Sequence, residues 1–215
     1  MIKEILRLIS IWIIVLPFVA GFINYKGLNR DSRWIFFLVL AALVPQILTF
    51  IINKQTSLLN ISYNVYTLIE FGILYLIFKD KYQQSANNFI LHMTLFIYGI
   101  ISMILLIRNG FAAKFLNNLV CINNVIYMIW ILLFLKEQYS IENTSIQKKN
   151  PFAWYLLALL IYAPCTVIAF ALYNYIREGT NPVLLNLWII QSICNILLYI
   201  IFSVGLFIPK QKVSF

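Results

Sequence analysis

From Ile61 to Phe78 the chain reads ISYNVYTLIEFGILYLIF, a run of 18 mostly apolar residues with one ionisable side chain, Glu70, at the tenth position. Crossing about 30 Å of hydrocarbon as a helix takes roughly 20 such residues, so the run suffices for a short transmembrane span. Six more runs of the same kind surround it: approximately Leu6 to Tyr25, Trp34 to Ile52, Phe89 to Ile107, Phe115 to Leu135, Phe152 to Ile176 and Val183 to Ile208. They nearly fill the 215 residues, and the expected fold is all-α, a polytopic membrane protein with seven transmembrane helices in one bundle. Composition agrees. Hydrophobic residues make up 62% of the chain and charged residues 11%, against roughly 25% charged in a soluble domain. No stretch between the runs is long enough to fold separately, which excludes a soluble catalytic, nucleotide-binding or DNA-binding domain.

The charged islands between the runs carry the orientation. A net charge of +9 in a membrane chain marks cytoplasmic loops and headgroup contacts, so the lipid bilayer, not nucleic acid, is the expected partner. The side holding the N-terminus has Lys3, Arg7, Lys54, Arg108, Lys114 and Arg177. The other side has Lys26, Arg30, Arg33, Lys79, Lys81, Lys136, Lys148, Lys149, Lys210 and Lys212. The positive-inside rule then predicts the N-terminus outside and the C-terminus in the cytoplasm. A signal peptide cleaved near Val19-Ala20-Gly21 would reverse this and put the more basic side outside. Trp34, Trp154 and Trp188, with Tyr25 and Tyr139, fall near span ends, where amphipathic rings favour the headgroup layer. Asn150-Pro151 and Asn181-Pro182 supply a capping residue and a first-turn proline for the sixth and seventh helices. The longest loop, Lys136 to Pro151, has no apolar periodicity.

Polar side chains are costly in lipid, so their placement is informative. Glu70 is the only acid inside a predicted span, and burying it there costs about 3 kcal/mol on an insertion scale. Tyr63, Tyr66, Thr67 and Glu70 recur at helical spacing with Leu74, so the acid belongs to an inward-facing polar stripe. It reads either as a proton or cation site or as a neutral carboxyl bonding across the bundle. The fifth span carries Asn117, Cys121, Asn124 and Met128 in one stripe, with Asn123, Tyr127 and Trp130 beside it. The seventh carries Trp188, Gln191, Ser192, Asn195, Tyr199 and Ser203. These stripes are either interhelical glue or, with Gln46 of the second span, the lining of one cavity. With aromatics at 16% of the chain, such a cavity suits a small apolar or aromatic ligand.

Pro17, Pro45 and Pro164 lie mid-span, and each removes a helix hydrogen bond, as a kink or a hinge. His92 reads as interfacial. Cys121, Cys165 and Cys194 form no C-x-x-C pair and read as packing residues, with no metal or cofactor implied. There is no H-E-x-x-H, no G-x-S-x-G and no pair of intramembrane carboxylates, so enzymatic activity is not expected.

Two resemblances bear on function. Val44-Pro45-Gln46-Ile47, followed by Asn53-Lys54-Gln55-Thr56-Ser57, resembles the Pro-Gln signature of seven-span PQ-loop transporters over about 15 residues, although the fifth span lacks the second proline of that family. Over nearly the full length, Asn64-Val65-Tyr66-Thr67-Leu68-Ile69-Glu70-Phe71, the Asn-rich fifth span and Asn195-Ile196-Leu197-Leu198-Tyr199 before Gly205 resemble a widespread group of small seven-span bacterial membrane proteins of uncharacterised function. This resemblance implies a bacterial inner-membrane address and a membrane signalling partner such as a sensor kinase. The expected function is therefore a non-enzymatic sensor or signalling-accessory subunit that binds a small apolar or amphipathic ligand, or a proton, within the bundle. The alternatives are a small transporter or channel using Glu70, and a structural subunit of a membrane assembly.

Overall fold

The computed structural model describes residues 2–52, 56–110, 115–140, 150–172 and 182–208. Among these, every regular element is helical: α1 (Ile2–Trp12), α2 (Val15–Asn24), α3 (Arg30–Ile51), α4 (Ser57–Lys79), α5 (Ser85–Asn109), α6 (Asn117–Ser140), α7 (Pro151–Ala171) and α8 (Pro182–Phe207). Helices α1 and α2 run on as a single apolar stretch, Glu4–Gly27, so seven helices are long and apolar enough to cross a membrane.

Helix boundaries follow local chemistry. Pro17 has no N–H for the Ile13 carbonyl and its ring crowds that group. The chain answers with a tight Leu16 N–H to Ile13 O bond of 3.0 Å, and the first span splits there. Helices α3 and α7 instead continue through Pro45 and Pro164. Asn29 caps α3 by accepting from Ser32 N–H at 2.8 Å, and Asn150 caps α7 by accepting from Phe152 N–H at 3.0 Å, with Pro151 in the first turn as expected. The other expected cap, Asn181, lies outside the described residues. Thr56 caps α4, which spans 23 residues, so the third span is not short. Helix α7 ends at Ala171, before the expected Ile176.

The largest departure is at α6, which continues to Ser140 where a loop from Lys136 is expected. The reason is tertiary. Glu137, 1% exposed, accepts from the N–H groups of Gln83 and Gln84 at 2.6 and 2.9 Å and from Asn87 Nδ2 at 2.6 Å. The capping position of α5, Gln84, makes no side-chain bond of its own. Glu137 therefore caps α5 from a neighbouring helix, satisfying donors that a helix start leaves open. Glu70 is thus not the only acid within a long apolar helix.

Successive helices pack side by side, and α8 closes the ring by lying against α7, α2 and α1. Helix α6 also contacts α4, so α5 is peripheral, and among its residues only Asn87, Leu91, Tyr98 and Ser102 are buried. The end of the bundle carrying residues 24–30 and 79–85, with Ser140 and Asn150, has a dense aromatic core. Phe71 stacks on Tyr98 at 3.8 Å and lies 5.2 Å from Trp130, which sits 5.6 Å from Phe78. Tyr82 donates to the Trp130 carbonyl at 2.6 Å and Trp130 Nε1 donates to Thr94 at 3.0 Å. Burial, assisted by the nearby Glu137 carboxyl, pushes the Tyr82 hydroxyl well above its ordinary range. Lys81–Asp31 and Arg30–Asp80 pair at this same end. Facing outward are large side chains such as Phe22, Phe50, Phe96, Met103 and Ile107, a surface suited to hydrocarbon.

Candidate functional site

Two amide bonds set the rotation of α6 against α4. Asn64 Oδ1 accepts from Leu116 N–H at 3.1 Å, capping the start of α6, and Asn123 Nδ2 donates to the Thr67 carbonyl at 3.1 Å. Both side chains are buried. Held this way, α4 and α6 form two walls of a cavity of about 290 Å³ whose remaining walls come from α3, α7 and α8. Eight expected residues line it: Gln46, Tyr63, Tyr66, Thr67, Glu70, Asn124, Asn195 and Tyr199.

Two expected residues do not. Tyr127 is fully buried, its ring 5.8 Å from Trp130 and 6.1 Å from Phe71, so it belongs to the aromatic core beneath the cavity. Gln191 hydrogen-bonds the Tyr162 hydroxyl. Tyr127 lies beside the expected stripe of the fifth span, and the rotation of the helix turns that neighbouring face into the floor.

The cavity lies toward the end of the bundle that carries Gly110, Phe115 and Leu172. Phe115, Phe170 and Trp188 line it within about two turns of that end, and with Tyr63 they form a chain of edge-on rings. Tyr63–Phe115, Phe115–Phe170 and Phe170–Trp188 are 5.6, 5.8 and 5.8 Å apart. Glu70 sits at the deep limit, next to Phe71 of the floor. The cavity thus has an aromatic collar, an acid at its base, and packed rings below.

Hydrogen bonding within the walls is largely internal. Tyr66 donates to Glu70 Oε1 at 3.3 Å, a long bond. Thr67 donates to the Tyr63 carbonyl at 2.9 Å. Thr49 donates to the Pro45 carbonyl at 2.7 Å, so the 2.9 Å contact of Thr49 with Tyr63 is one that Tyr63 donates. Asn195 Nδ2 is used on Ser10, at 3.0 Å to its carbonyl and 2.9 Å to its hydroxyl, tying α8 to α1. Asn124 Nδ2 is used on the Val120 carbonyl, while its Oδ1 is buried with no partner. Glu70 has no ion-pair partner among the described residues, and its exposed surface opens on the cavity.

Tyr162 and Phe170 of α7 also line the cavity and were not anticipated. A signal existed, since Tyr162 and Thr166 lie four apart on a span otherwise read for its proline alone. His92 is away from the cavity, on an exposed face of α5, with Nδ1 2.8 Å from the Tyr75 hydroxyl. Cys165 and Cys194 are unpaired in sequence, yet α7 and α8 bring them together as free thiols with Sγ atoms 3.0 Å apart.

No protein-family model, curated protein or solved structure matches the chain.

Proposed function

We propose that this chain is a non-enzymatic, multi-pass protein of the bacterial inner membrane that binds a small amphipathic ligand in the Glu70 cavity and passes the change to a membrane signalling partner such as a sensor kinase. The observation that carries this reading is the one-ended cavity, closed below Glu70 by stacked rings. Transport requires a site that opens alternately to both sides, whereas among the described residues the rings of Phe71, Tyr98, Tyr127 and Trp130 pack together below Glu70. In the orientation favoured by the basic residues, the cavity faces outward. Ligand would then favour whichever helix arrangement it binds better, and α3, α7 and α8, which both line the cavity and present outer faces, are the elements a partner can read.

The test is reconstitution. Proteoliposomes containing the chain should show saturable binding of a small amphipath without Glu70-dependent flux. Proton or solute flux that disappears in Glu70→Gln would overturn this reading in favour of a transporter. Reporter fusions after Lys81 and after Lys114 test the orientation, with a cytoplasm-dependent reporter expected to work only at the first site.

A further inference from the structure

We propose that the ligand of this cavity is an organic ammonium ion with an aromatic or apolar body, its charge at Glu70 and its body against the ring collar. The inference rests on the cavity being a ligand site and names the class of ligand.

Charge is the first argument. No lining residue among those described is Lys, Arg or His, and the one formal charge available is that of Glu70. A carboxylate in a weakly hydrated site needs a counter-charge or a proton. A single cation supplies the former, whereas an anion would add repulsion. A hard metal ion is disfavoured because calcium takes six to eight oxygen ligands, and no group of three or more potential metal ligands occurs among the described residues.

Hydrogen-bond polarity is the second. The hydroxyl hydrogens of Tyr63, Tyr66 and Thr67 are all committed, to Thr49, Glu70 and the Tyr63 carbonyl respectively. What these groups have left to offer is lone pairs, which suit the N–H groups of an ammonium ion, while Gln46 and Tyr199, which also line the cavity, bring an amide and a hydroxyl that can donate.

The third argument is the wall. Seven lining residues are aromatic, and ring faces attract organic cations most strongly where water is excluded. A volume of about 290 Å³ is at the small end of ligand pockets, enough for one ring with a short amine arm. A bare proton would neutralise Glu70 but would leave the collar and the acceptor groups without a partner.

The experiment compares three probes of one skeleton at pH 7: 2-phenylethylammonium, 2-phenylethanol and phenylacetate. Binding to the full chain in nanodiscs is measured by equilibrium dialysis against empty nanodiscs, which subtracts lipid partitioning. The ammonium should bind about tenfold or more tighter than the alcohol, equivalent to about 1.4 kcal/mol, and phenylacetate weakest. Glu70→Gln should bring the ammonium to within about twofold of the alcohol and leave the alcohol unchanged. The wild-type order alone tests the idea should the variant fail to fold. Equal affinity for ammonium and alcohol, or tighter binding of phenylacetate, overturns the ammonium assignment and leaves the cavity as a ligand site. Binding of none of the three removes both.

Discussion

Glu70 and Glu137 both lie within long apolar helices, and their surroundings predict opposite responses to removal. Glu137 is 1% exposed and accepts three hydrogen bonds, at 2.6, 2.9 and 2.6 Å. In Glu137→Ala the buried Asn87 amide loses its partner, at about 1–3 kcal/mol. The N–H groups of Gln83 and Gln84 belong to exposed residues, so water recovers part of their loss, at about 0.5–1 kcal/mol each. The sum is about 3 kcal/mol, and for a chain of this size it lowers Tm by about 6–12 °C. Glu70 accepts a single 3.3 Å bond, and Glu70→Gln keeps an acceptor for Tyr66 while removing an acid that costs stability when buried. Its stability should change by less than about 1 kcal/mol in either direction. Thermal unfolding of both variants in one mild detergent, followed by tryptophan fluorescence, compares them directly. A Glu70→Gln loss above about 2 kcal/mol, or a Glu137→Ala loss below about 1 kcal/mol, would refute the division into a cap and an uncommitted cavity acid.

Glycines give a second contrast. A methyl group at Gly205 would fall within the Tyr155 ring, which is 1% exposed and pinned by its 2.7 Å bond to Ser32. Gly205→Ala should therefore cost about 1–3 kcal/mol in the same assay. Gly72, whose added Cβ meets nothing within 4 Å, should accept alanine with a gain of up to about 1 kcal/mol from helix propensity. Tyr82→Phe tests the alkaline limb of stability. The folded hydroxyl holds its proton well above the ordinary value of 10.0 while the unfolded one releases it there, so this contribution is complete below about pH 10 and declines above it. Wild type should exceed Tyr82→Phe by about 1 kcal/mol near neutrality, and by about pH 11 a loss of about 1.4 kcal/mol should cancel that gap and slightly reverse it. A constant gap would show the hydroxyl to be solvated.

How much was legible in advance differs between fold and site. Hydropathy is a local property that accumulates along the chain, because a span must remove about 20 consecutive residues from water. Ile61 to Phe78 and its six companions are visible for that reason, and so is the cap Asn150, whose partner lies two residues on. Helical spacing likewise groups Tyr63, Tyr66, Thr67 and Glu70, since residues three and four apart share a face whatever the helix packs against.

What a face meets is a different matter. The bonds from Asn64 to Leu116 and from Asn123 to Thr67 join positions 52 and 56 apart in the chain, and no periodicity within one helix encodes the rotation they impose. That rotation puts Asn124 in the cavity wall and Tyr127 in its floor. Glu137 is the sharper case, since a polar residue after an apolar run reads as a loop until the bare start of α5 is brought against it. Residue pattern is enough to set out seven runs long and apolar enough to cross a membrane, their polar stripes and an acid in the middle of one run. That the stripes share one cavity, that aromatic rings pack beneath it, and that Glu137 rather than Glu70 is committed to holding the fold come from packing, because each depends on the register between helices distant in sequence.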